Sequence, residues 1–581
     1  MRPIDRRTFL RLGGGAAAAA AFGPSLDLFS RAARGAATGT TLDETIVKGA
    51  KLSAGTKQSY FRLAAGPGEP HIVRTELARR TGPAAGRRSL LHFVHLTDIH
   101  LCDAQSPARV EFLDRYDVGP CAPLPFDAAF RAQETMSLHV LEAMNRRIRR
   151  VGVSPVTGRP IAFAMCTGDN VDNEQFNELR WFIDMMDGGT NVTPNSGAAP
   201  YEGVQSAAWK DQEYWHPDAG VTDKYKRQYG FPDYPGLLVT ALQPFRASGV
   251  GVPWFQTFGN HDGLMQGNAP RDPILNAIAV GGLKVAGPPP GLDPCDSFEI
   301  LRSDPAALFA GPARAVTPDA RRRVVRRGEY IKEYFKTSGT PVGHGFTATN
   351  KADGTAYYTI DSFPGFRLIA LDTVNPGGYA EGSIGKAQFD WLRKQLREVH
   401  SAYFNGSGEV VRTGNPDKLV ILFSHHGLRS LNNPAAVPDP FEPGSNDLPR
   451  VMADKIETML HRFPNVIAWV DGHTHNNIIE PRRGGTGGFW DVGTAAHCDW
   501  NSQTRLIEVL DNADGTLSIV CTMIDHDAPA VPGGSDPVLR HASIHRELAA
   551  NDYQLGFASA GPGTAQDRNV ELVVKAPFPI V

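Results

Sequence analysis

The stretch Leu90-Leu91-His92-Phe93-Val94-His95-Leu96-Thr97-Asp98-Ile99-His100 decides how this chain is read. Residues 90–96 form a short apolar run bounded by polar residues, as a buried strand does. Asp98 and His100 follow it at once. The same arrangement recurs along the sequence. Residues 161–166 run into Thr167-Gly168-Asp169, 419–423 into Ser424-His425-His426, and 466–470 into Gly472-His473-Thr474-His475. A further strand is expected at 367–371.

Helical spacing fills the intervals. Residues 126–150 place Phe130, Leu141, Met144 and Ile148 on one face, and Arg146, Arg147, Arg149 and Arg150 suit the negative C-terminal end. A second helix is expected over 385–399, with Phe389, Leu392, Leu396 and Val399 together. Strands alternating with helices predict an α/β layered core whose strands are buried on both faces.

Two stretches break the rhythm. Residues 173–253 are rich in Gly, Pro, Trp and Tyr, and 263–355 carry Pro288-Pro289-Pro290 and an arginine-heavy helix near 318–336. Both read as excursions from the core, of a length usual for lids or binding loops. From about 501 the pattern turns to apolar alternation around Asp514-Gly515, suggesting a closing hairpin. The expected divisions are a leader at 1–37, an N-terminal extension at 38–89, the main domain at 90–500, and C-terminal strands and tail at 501–581.

The leader reading rests on Asp5-Arg6-Arg7-Thr8-Phe9-Leu10-Arg11, a twin-arginine pair followed by a weakly apolar Gly/Ala stretch. That stretch is about half the ~20 apolar residues a bilayer span needs. Small residues suit cleavage near Ala37, so the expectation is an exported protein without a stable membrane anchor, handled by the twin-arginine export machinery. The whole chain of 581 residues has a net charge of -3. The leader holds six arginines and two aspartates, which leaves 53 basic against 60 acidic residues, or -7, and argues against a nucleic-acid partner. Six cysteines are too few to build the fold. A bridge between Cys102 and Cys121 is allowed by export, and no pairing is assigned.

Five polar clusters each end an apolar run: Asp98-Ile99-His100, Gly168-Asp169-Asn170-Val171-Asp172, Gly259-Asn260-His261-Asp262, Ser424-His425-His426 and Gly472-His473-Thr474-His475. Ligands of α/β sheets gather at that edge. Carboxylates, imidazoles and one amide oxygen suit two adjacent borderline divalent ions better than Ca²⁺ or a thiolate zinc site. A dinuclear hydrolytic centre is the expectation.

The ordered set resembles the calcineurin-like metallophosphoesterase superfamily, over residues 98 to 475. Leu371-Asp372-Thr373 and the segment ending Trp391-Leu392 are similar too, and the twin-arginine start with the 493–505 stretch looks like an exported bacterial subgroup. The resemblance implies a four-layer αββα sandwich. It implies that Asp98, His100 and His475 hold metal one, that Asn260, His425 and His473 hold metal two, and that Asp169 bridges them. His261 would be the catalytic acid, Asp262 would hold its ring, and His426 and Asp172 would support the ligands from behind. Asp172 stands where purple acid phosphatases carry a tyrosine ligand, so no purple colour is expected. The implied reaction is hydrolysis of a small-molecule phosphate mono- or diester by in-line attack of a metal-bound hydroxide, with Mn, Zn, Fe or Co as the pair.

Other residues are weighed and set aside. His497 and His344 read better as hydrogen-bonded structural histidines, the arginines at 321–327 as a solvated face, and the aromatics at 209–234 as a lid's own core. The rival class is a metal-binding cell-surface module that keeps the fold and has lost turnover. A serine hydrolase is excluded by the absence of a Gly-x-Ser-x-Gly elbow.

Overall fold

The computed structural model describes residues 39–82, 86–116, 128–437, 447–485 and 487–580. The leader expected at 1–37 lies outside them, as does Cys121. Two sheets form the centre. Their strands, in chain order, are β1 (Ile72–Arg74), β2 (Arg88–Leu96), β3 (Ala164–Cys166), β4 (Trp254–Gln256), β5 (Tyr358–Ile360), β6 (Phe366–Ala370), β7 (Leu419–Phe423), β8 (Val466–Asp471), β9 (Ile478–Arg482), β10 (Phe489–Gly493), β11 (Gln503–Asp511), β12 (Thr516–Asp525) and β13 (Val570–Lys575). One sheet runs β5-β6-β7-β8-β10-β9, the other β1-β13-β12-β11-β2-β3-β4. Strands β2, β3 and β4 are mutually parallel, as are β6, β7, β8 and β10.

The sheets face one another. Phe93 of β2 stacks on Phe163 at 4.9 Å and meets Phe423 of β7 edge-on at 5.6 Å, within one continuous core. Because side chains alternate, the other face of the first sheet is left for helices. Ile369, Val420, Leu422 and Trp469 pack there on Leu392 and Leu396 of a helix at Lys386–Arg397 and on Ile456 and Leu460 of another at Ala453–Leu460. Across the molecule, α1 (Ser137–Val151) and α2 (Phe176–Asp187) cover the second sheet, and a C-terminal helix at Pro537–Asn551 packs on the outside of α1. The result is the expected α/β sandwich with helices outside two packed sheets.

Some expectations need correction. The helix expected at 126–150 begins at Ser137, after a 3-10 turn at Glu134–Met136, and Phe130 sits in an aromatic cluster with Tyr214 and Tyr225. The helix expected near 318–336 is a 3-10 turn, Ala320–Arg322, followed by Arg327–Glu333. Its arginines are not one solvated face: Arg322 is fully buried against Asp103 and Ser196. Residues beyond 501 are continuous with the main sheet, since β11 pairs directly with β2. Cys102 is a free, buried thiol, so the bridge from Cys102 is not formed. No helix among the described residues is long and apolar enough to cross a membrane.

Three histidines meet where the C-terminal helix crosses α1. His139 lies edge-on to His541 at 4.6 Å, one helical turn from His545. Burial lowers all three, His541 to about 4 and His545 to about 3, with mutual repulsion adding to the effect on His139. These rings stay neutral in the fold but take protons once unfolded below pH ~6.5, so stability is lost as pH falls from there towards 4. A drop from pH 7 to 4.5 is expected to cost several kcal/mol, since each tenfold difference in proton affinity between the folded and unfolded chain is worth ~1.4 kcal/mol. Melting temperature against pH measures this, and His545→Gln should shallow the slope.

Candidate metal centre

All five clusters converge at the C-terminal ends of parallel strands from both sheets. Asp98 lies two residues beyond β2, Asp169 three beyond β3, Asn260 four beyond β4, His425 two beyond β7 and His473 two beyond β8. Getting the side chains inward takes unusual backbone. Asp98, His100, Asp169, His473 and His475 all have positive φ, between 48° and 68°. Such conformations cost about 1–3 kcal/mol each in non-glycine residues and persist only where surrounding structure enforces them. Backbone bonds from Asp98 to Gly168 and from His100 to Asp169 zip the first two loops together. The glycines before the ligands are set by close approach. A Cβ on Gly168 would lie 2.8 Å from Gly259 backbone and one on Gly472 would lie 1.9 Å from Thr97 Oγ1.

Each candidate histidine ligand turns one ring nitrogen into the common space and the other towards an acceptor. His100 presents Nε2 to Asp169 Oδ2 at 3.6 Å while Nδ1 donates to Asp172 Oδ1 at 3.1 Å. His475 presents Nε2 to Asp98 Oδ1 at 3.2 Å while Nδ1 bonds the Asp499 carboxylate. His425 presents Nε2 to Asp169 Oδ2 at 3.1 Å while Nδ1 donates to the Thr167 carbonyl at 2.9 Å. His473 is reversed: Nδ1 lies 3.3 Å from His425 Nε2, and Nε2 looks out at Glu381 Oε2, 3.8 Å away. In His100, His475 and His425 the outer bond fixes the tautomer, so the inner Nε2 is free to ligate.

The remaining donors fit the same purpose. Asn260 donates its amide to the Gly267 carbonyl at 2.9 Å, leaving its buried Oδ1 without a hydrogen-bond partner. Three-group sets of Asp98, Asp169 and His425, and of His100, Asp169 and His261, each bring their ligand atoms within 4.8 Å of one another. Burial alone would raise both carboxylates, yet His475 beside Asp98 and His425 beside Asp169 hold them well below the usual carboxylate range. Burial opposes a charge on His425 too, but Asp169 overrides it and pushes the ring up to about 9. Asp169 is thus balanced by a proton on His425, whose place a cation would take.

His426 engages Thr373 Oγ1 through Nδ1 and the Ala380 carbonyl through Nε2, both at 2.8 Å, and has a ring nitrogen within 4.8 Å of those of His425 and His473. His261 is partly exposed, 4.5 Å ring to ring from His100. Asp262 does not hold it. Its carboxylate turns back to accept the amides of Gly259, Asn170 and Val171, while His261 Nδ1 donates to the Asp172 carbonyl at 2.6 Å. Adjacent residues of a one-turn helix point apart, which is why neighbours in sequence fail to touch. Asp262 is therefore a brace between the second and third loops, and burial raises it to about 8. His497 and His344 are structural, bonded to Thr504 and stacked on Trp254 respectively.

Sequence reading missed Arg109, which is fully buried and ties Asp172 to Glu134 and Glu111, and it missed the contacts of Asp499, Arg131 and Glu381. None sits in a recognisable motif.

No family model matches the chain, and no curated protein matches it. Among solved structures it is similar to a dimetal phosphatase from Danio rerio, at 10% identity and TM-score 0.30, covering 76% of this chain and all of that one. It is similar also to the purple acid phosphatase PPD1 of yellow lupin, at 10% identity and TM-score 0.27, over 80% of this chain and 55% of the lupin enzyme. A third is the sulfate thiohydrolase SoxB of Thermus thermophilus, at 12% identity and TM-score 0.26, over 80% and 61%. At such scores no residue role transfers from them.

Proposed function

We propose that the chain is an exported dimetal phosphoesterase of the calcineurin-like metallophosphoesterase superfamily, hydrolysing a small-molecule phosphate mono- or diester. The observation that carries it is the set of three histidines, His100, His475 and His425, each bonded outward through Nδ1 with Nε2 facing a buried carboxylate, and His473 closing the group beside His425. Asp98, His100 and His475 would hold one divalent ion, Asn260, His425 and His473 the other, and Asp169 both. Two such ions, of Mn, Zn, Fe or Co, supply Lewis acidity, a nucleophile drawn from water near neutral pH and a clamp on phosphoryl oxygens.

The chain's own residues do the rest. His261, its Nδ1–H fixed on the Asp172 carbonyl, keeps Nε2 for a proton to pass to the departing oxygen. Burial lowers this ring to about 4 in the free chain, against the pull of Asp169. An anionic phosphate beside it restores affinity for the proton. Asp262 keeps the His261 loop against the Asp169 loop. Export by the twin-arginine route is supported by the leader residues alone.

The test is hydrolysis of p-nitrophenyl phosphate and bis-p-nitrophenyl phosphate by chelator-stripped protein refilled with Mn²⁺, Zn²⁺, Fe²⁺ or Co²⁺. Stripping should abolish turnover and one or more metals should restore it. No turnover with any metal, despite two ions per chain, would favour the silent binding module.

A further inference from the structure

The two halves of the cluster are backed unequally. Behind His100 and His475 stand two carboxylate acceptors within hydrogen-bond reach, Asp172 and Asp499, each seated by a buried arginine. Behind His425 stands a neutral carbonyl. A carboxylate receiving an imidazole N–H makes the opposite nitrogen a stronger donor and fixes which nitrogen that is.

Resting on the dimetal reading, we propose that Asp499, seated by Arg131, is a positioning residue that sets the grip of the centre on one of its two ions. Asp499 is 3% exposed and accepts from Arg131 Nε at 2.9 Å through Oδ1 while Oδ2 takes the His475 proton. Arg131 in turn is 6% exposed and lies 3.9 Å from Asp172, so one guanidinium steadies both outer carboxylates. With Nδ1 so protonated, His475 has only Nε2 to offer, and Nε2 is the nitrogen beside Asp98. An amide at 499 could turn its NH₂ to the ring, remove the acceptor and release the tautomer.

The experiment loads the full chain with Co²⁺ and follows ions retained per chain and the visible Co²⁺ spectrum through a chelator titration. Wild type should release its ions in two steps. Asp499→Asn should weaken the tighter one by about 10- to 100-fold, merging the steps, and Asp499→Glu should recover part of it. Arg131→Lys, which keeps the charge and loses the fork, should fall between. Glu508→Gln is the control for mere loss of stability, since Glu508 is equally buried but bonds Ser89, Ser154 and Thr157. Unchanged Co²⁺ release in Asp499→Asn, or equal weakening in Glu508→Gln, would overturn the assignment. A wild type that binds no Co²⁺ would overturn the dimetal reading itself.

Discussion

Asp169→Asn is expected to abolish phosphate-ester hydrolysis and to leave at most one ion per chain. Asp169 is 2% exposed; its Oδ2 faces His425 and His100, and its Oδ1 accepts the His261 amide at 2.8 Å. It faces a histidine of each set. Removing one partner of a buried charge network costs about 3–5 kcal/mol, which corresponds to a loss of about 10²- to 10⁴-fold. Turnover with saturating metal and bound metal per chain measure it together. Activity within tenfold of wild type, with two ions retained, would show that Asp169 is not the bridge.

His261→Ala should behave differently. The ring is not a proposed ligand, so the variant should keep both ions and lose about 10²- to 10⁴-fold in kcat, with KM little changed. The deficit should be smaller on p-nitrophenyl esters, whose leaving group scarcely needs a proton, than on alkyl esters. An equal deficit on both, or loss of an ion, would place His261 in metal binding instead.

How much of this was legible in the sequence follows from how local each feature is. Strands β7 and β8 could be read nearly to the residue because both faces of a parallel strand are buried and leave an unbroken apolar run. Loops that bring catalytic groups inward start where such runs stop, so Asp98, Asp169, His425 and His473 stood out. The C-terminal helix did not, because its buried face carries His541, His545, Arg546 and Glu547 where apolar periodicity would be sought. Asp499 carries no sequence signal, since the residue it serves is 24 positions earlier. Asp262 was misplaced for the opposite reason: adjacency to His261 suggested a contact that helix geometry forbids.

The central claim is that two ions share the space around Asp169. Anomalous diffraction from crystals equilibrated with Mn²⁺ tests it directly. Two peaks about 3.5–4 Å apart, with Asp169 between them, are the expected result. A single peak, or none at saturating metal, would contradict a dinuclear centre.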